Sequence, residues 1–219
     1  MSEWAEHVER EIARFREGEA RLPDTEDADT RQRQLTRMGN AAGGAGLALL
    51  MDGRRDEASE WLRRAADQYR ESMADAPPES WGRPIGTMKV LLLADDRARA
   101  EEAARWTIEL GAADSQSPIG RYAATLAHLI LGDYEEARAL AGTLRERDDF
   151  PHDVADALAT LAAEDMLGYT YAVESVLNSF EERGAYLEDM PVADTVIVLQ
   201  ALAAKRGMAV ELDSPLLPT

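Results

Sequence analysis

Residues 117–147, SPIGRYAATLAHLILGDYEEARALAGTLRER, constrain this chain most, because they carry two apolar stripes at helical spacing around one glycine. Ile119, Tyr122, Leu126 and Ile130 share a face of a first helix, with Ser117 as N-cap and Pro118 at the first position, where a missing N–H leaves nothing unsatisfied. Gly132 ends that helix, since glycine takes the positive φ of a C-terminal cap without a Cβ clash. Tyr134, Ala137, Leu140 and Leu144 then line a second helix. Neither stripe is covered within its own hairpin, so the unit needs neighbours of the same kind.

Those neighbours are visible as related turns: GRRDEA at 53–58, DDRARAEEA at 95–103, GDYEEA at 132–137 and GYTYAV at 168–173. Aligning Ala58, Ala103, Ala137 and Val173 gives spacings of 45, 34 and 36 residues, near the period of helix–turn–helix solenoids. A small side chain at this position lets the second helix cross close to the first. GDYEEA resembles the tetratricopeptide repeat, although that family's Trp-Leu-Gly spacing is missing. The expectation is an all-α chain of about ten helices, a tetratricopeptide-like array of antiparallel helical hairpins (an α-solenoid) forming one domain over 1–219. Within it, 1–29 supply a capping helix and linker, 30–183 four hairpins, and 191–219 a terminal helix and extended tail.

Several local expectations follow. The first helix, 2–20, places Trp4, Val8, Ile12 and Phe15 on a narrow stripe, and 21–29 read as a linker with a proline. The helix at 30–51 holds Gly39, Gly43, Gly44 and Gly46, each costing about 1 kcal/mol relative to alanine. No Lys-Ser/Thr follows and no strand precedes, so these are not a phosphate loop. They serve either a close helix approach or a ligand-lined notch. Gly168 is read as the stop of a helix at 152–167, with its partner at 170–182. Pro191 is read as the opening of the last helix, which Gly207 closes.

Composition narrows the function. There are 42 acidic residues against 24 basic, a net charge of −18, and Lys89 and Lys205 are the only lysines. Nucleic acid is an unsuitable partner for such a chain. The acidity reads either as a solvated coat suited to high salt or as a face for a basic partner. Cysteine is absent, and no apolar run exceeds the 11 residues 41–51, so neither disulfides nor a membrane span is expected. A soluble, cytoplasmic protein is the expectation. His7, His128 and His152 show no metal-ligand spacing, and adjacent carboxylates such as Asp95/Asp96 do not provide the two different environments that acid–base catalysis needs. No catalytic residue, cofactor or metal is expected.

A polar stripe of Arg121, Thr125 and His128 on one helix and another of Asp156, Thr160 and Glu164 on the next first helix are the candidate partner-binding residues. In stacked helix pairs the first helices line the inner curve, which would set the stripes side by side. Plain solvated helix faces account for the same pattern. The partner implied is a protein or peptide; nothing selects an oligomeric state.

Residues 169–218 resemble the C-terminal part of the immunity protein 49 family of bacterial polymorphic toxin systems. The resemblance lies in AVESVLNSFEERGAYLED, with Phe180 and Tyr186, and in VIVLQALAAKRGMAVELDSPLLP. In the second stretch it rests on Leu199, Leu202 and Ala203, Gly207, Val210-Glu211, Ser214 and Leu217-Pro218. It covers roughly a quarter of the chain and implies a protein that binds and neutralises a cognate toxin in the cytoplasm without catalysis. A helical-repeat adaptor for an endogenous protein is the other expectation.

Overall fold

The computed structural model describes residues 3–25 and 27–218. Ser2 and Glu26, which the sequence reading puts in the first helix and the linker, lie outside the described residues, as does Thr219 at the end of the tail. Ten α-helices and no strand are present among the described residues. They are α1 (Glu3–Arg21), α2 (Ala28–Met51), α3 (Arg55–Ser72), α4 (Gly82–Leu93), α5 (Arg97–Glu109), α6 (Pro118–Leu131), α7 (Tyr134–Arg145), α8 (His152–Ala162), α9 (Met166–Glu181) and α10 (Asp194–Lys205). The chain is all-α, as expected.

Two compact units emerge. One is built from the residues up to Asp96 with Ala185–Val192 and the residues from Pro215; the other from Arg97–Gly184 and Ala193–Ser214. In the first, α1 packs on α2, α2 on α3 and α3 on α4; in the second, α5 to α9 pack in sequence and α10 lies against α9 and α8.

One turn design recurs. After α2, α4, α6 and α8 a single residue takes positive φ: Gly53, Asp95, Gly132 and Glu164. The following amide then reaches back five residues, as from Arg54 to Leu49, Asp96 to Leu91, Asp133 to His128 and Asp165 to Thr160, at 2.9–3.0 Å. This caps the orphan carbonyls of the helix end and restarts a helix one residue later. The fifth residue past the turn is Ala58, Ala100, Ala137 or Tyr169, each fully buried. The repeat therefore aligns on those positions, and the sequence-based choice of Ala103 and Val173 is corrected by one helical turn.

The α8–α9 boundary differs from expectation for the same reason. α8 stops at Ala162, not at Gly168, because Glu164 supplies the left-handed residue and the Asp165 side chain caps α9 by accepting the Gly168 amide at 3.0 Å. Gly168 is thus inside the first turn of α9. The linker is likewise shorter than expected: a 3₁₀ turn at Leu22–Asp24 leads to Asp27, which caps α2 by accepting from the Thr30 amide. Pro191 precedes α10 by three residues and does not open it.

The α2 glycines make close helix packing possible. A Cβ on Gly46 would sit 2.6 Å from Leu62 of α3, one on Gly39 2.7 Å from the Tyr69 ring, and one on Gly44 3.1 Å from the buried Glu11 of α1. Glu11 has no exposed surface and accepts from Arg10 Nε at 2.8 Å and Arg14 Nη1 at 3.0 Å. Arg14 continues to Glu188, whose other oxygen takes the Asn40 amide at 3.0 Å, and Asn40 accepts from the Tyr69 hydroxyl at 2.9 Å. This chain of polar groups fastens Ala185–Val192 onto the first unit.

Candidate functional site

The six sequence-predicted residues lie on α6, on α8 and in the turn after α8, and each has a hydrogen-bond or ion-pair partner of its own. On α6, Thr125 is fully buried and donates to the Arg121 carbonyl at 2.8 Å, so it offers a partner no surface. Arg121 is half-buried and donates through Nε to the Ser115 carbonyl at 3.2 Å; His128 Nδ1 lies 3.4 Å from Asp133 Oδ2. On α8, Asp156 pairs with Arg145 at 2.6 Å, and Thr160 returns its hydroxyl to the Asp156 carbonyl at 2.7 Å. Glu164 is off the helix, in the α8–α9 turn, where it accepts from Arg206 at 2.7 Å. Among the described residues no hydrogen bond or ion pair links the α6 trio to the α8 trio.

The open chemistry lies on α9. Its inner face, Tyr169, Ala172, Val173, Val176, Leu177 and Phe180, is buried. Its outer face runs Leu167, Tyr171, Glu174, Asn178 and Glu181, a spacing of four and three residues that keeps all five on one line of the helix. Leu167 and Tyr171 are each 66% exposed and Met166 45%, making this stretch of less than two turns the main group of large exposed apolar side chains among the described residues. Apolar groups gathered like this mark contact surfaces, whereas singly scattered ones need no explanation.

Towards its C-terminal end the same face borders a groove of about 260 Å³ between α9 and the tail, lined by Glu174, Leu177, Asn178 and Glu181 on one side and Glu211, Leu212 and Asp213 on the other. Leu177 is buried and Leu212 half-buried, while the four carboxylates are exposed. Among the described residues no basic side chain pairs with any of these four. The groove is held at both ends: Ser214 donates to Glu181 at 2.7 Å, and Gln200 grips both the amide and the carbonyl of Val210. Gln200 also accepts from the Tyr169 hydroxyl at 3.0 Å, and burial pushes that phenol well above its ordinary value of 10.0, keeping it a neutral donor. A groove edged by four carboxylates that pair with no basic side chain, beside an apolar ridge, can bind a cationic, partly apolar surface.

The sequence reading missed this face because it ended α8 at Leu167. With the helix start moved to Met166, the line from Leu167 to Glu181 becomes legible. Among the described residues no group of three His, Cys, Asp or Glu is arranged to hold a metal, and no helix is long and apolar enough to cross a membrane. In comparisons with family models, curated proteins and solved structures, nothing matched this chain.

Proposed function

We propose that this chain is a non-catalytic helical-repeat protein that binds another protein, and that it neutralises a cognate toxin in the cytoplasm by direct contact. The observation that carries the reading is the outer face of α9, where an exposed apolar ridge continues into unpaired carboxylates. That pairing suits macromolecular contact, which wants an apolar anchor and a charged rim, rather than turnover of a small molecule in an enclosed cleft. The toxin is suggested by the resemblance of 169–218 to immunity protein 49, a segment that contains most of α9, all of α10 and the groove-forming tail.

The test is co-expression in a toxin-sensitive host with the products of the genes flanking this one. Growth restored against one neighbouring product, together with a co-purifying complex, is the expected result. Toxicity of every flanking product left unsuppressed overturns the immunity reading.

A further inference from the structure

We infer that the α9 ridge and the acidic groove form a single docking surface whose occupant is a basic polypeptide segment, with an apolar side chain packed on Leu167 and Tyr171 and Lys or Arg side chains entering between Glu174/Glu181 and Glu211/Asp213. This deepens the protein-binding reading and rests on it.

The geometry sets the segment's size and character. From Leu167 to Glu181 the helix rises about 21 Å, the length of four helical turns or of an extended segment of about six residues. A partner engaging both ends must therefore carry its apolar anchor and its charges on one continuous element. Among the described residues no basic side chain pairs with the four carboxylates, so a cation entering the groove breaks no ion pair; at Glu181 it joins the Ser214 hydroxyl, which donates to one carboxylate oxygen at 2.7 Å. Charge also decides against other occupants. A second copy laid face to face would bring four carboxylates against four, and nucleic acid or an anionic membrane would meet the same repulsion. The arrangement favours a cationic side chain over a bare divalent cation, since no three of the groove's acids are grouped to hold a metal ion.

The probe is a labelled synthetic amphipathic peptide of about 18 residues, with leucines and arginines placed to meet ridge and groove, titrated with the full chain by fluorescence anisotropy in about 0.1 M salt. Two further peptides replace every arginine by glutamate or every leucine by serine. Binding of the first peptide alone is expected. L167S/Y171S and E174Q/E181Q/E211Q/D213N should each weaken it by about tenfold or more, while E135Q/E136Q on the exposed start of α7 leaves it unchanged. Circular dichroism and melting temperature establish that each variant is folded.

Equal binding by wild type and either face variant, no binding of the basic peptide, or equal binding of the acidic one overturns the proposal. So does a dimer in sedimentation that L167S/Y171S dissolves, which would make the occupant a second copy. Failure of this surface and failure of the immunity reading remain distinguishable. Toxin suppression by wild type that persists in both face variants removes only the surface, whereas absent suppression with intact peptide selectivity removes only the toxin.

Discussion

One methyl group, added at three glycines, should have opposite effects, because glycine serves three different purposes here. Gly142 lies within α7 with open space around its would-be Cβ, so Gly142→Ala is expected to stabilise by about 0.5–1 kcal/mol, chiefly by restricting the unfolded chain. Gly132 also has open space, but its φ is +86°; Gly132→Ala therefore costs about 1 kcal/mol from backbone conformation alone. At Gly46 the backbone is helical, yet the new Cβ would fall 2.6 Å from Leu62 Cγ. Gly46→Ala should cost about 1–3 kcal/mol as Leu62 leaves its rotamer or α3 moves outward, which outweighs the helix-propensity gain of about 1 kcal/mol. Urea unfolding of the three variants gives the signs; a common sign would refute this division of roles. Sequence spacing could assign Gly132 its cap, because an apolar stripe stops at it. It could not rank Gly46 against Gly43, whose Cβ would meet only ordinary contacts at 3.8 Å, since which glycine faces a helix crossing depends on packing between distant residues.

At the scale of elements, the Glu188 carboxylate helps to hold the segment Ala185–Val192, beside Arg10, which donates to the Glu188 and Asp189 carbonyls, and the buried Met190 and Val192. Burial raises the pKa of Glu188, but donation from Arg14 and Asn40 outweighs it and holds the group below its ordinary value of 4.5. A carboxylate with a depressed folded pKa adds stability above its unfolded value, and that contribution disappears as the pH falls below 4.5 through the lower folded value. Glu188→Gln should accordingly cost about 1 kcal/mol at neutral pH, discounted for partial exposure, and should flatten the acid limb of the stability curve measured by urea unfolding between pH 7 and 3. An unchanged acid limb would mean that Glu188 does not fasten the segment. The polar network around it was not legible, because Glu11 sits in a run of charges that reads as a solvated face, whereas in the fold its side chain lies buried where a Cβ at Gly44 would press on it at 3.1 Å. The α6–α7 hairpin was legible at both caps, since Ser117 and Gly132 are the residue types those positions favour. The α8–α9 turn was not, because Glu164 occupies a left-handed position that side chains seldom take, while the nearby Gly168 offers a false stop. That displaced boundary hid the α9 face, so a local capping choice concealed the strongest candidate surface.

Across the whole molecule the net charge of −18 acts in two directions that salt should separate. Self-repulsion among the carboxylates opposes the compact state, and raising ionic strength from about 0.1 to 1 M shortens the screening length from about 10 to 3 Å, which relieves that repulsion. The melting temperature should therefore rise by about 5 °C or more over this range, given that about 1 kcal/mol moves a domain of this size by about 2–4 °C. The same screening weakens attraction between the acidic groove and a cationic segment, so the basic peptide's Kd should increase over the range in which the fold gains stability. The four-carboxylate variant tests whether both effects come from the charges assigned to them. Removing only four of 42 acids should leave most of the salt-dependent stabilisation in place while abolishing most of the salt dependence of peptide binding. A melting temperature indifferent to salt would mean that the acidity does not act as a general coat. A peptide affinity whose salt dependence survives in the variant would mean that charges spread over the surface, rather than the groove beside α9, attract the cation.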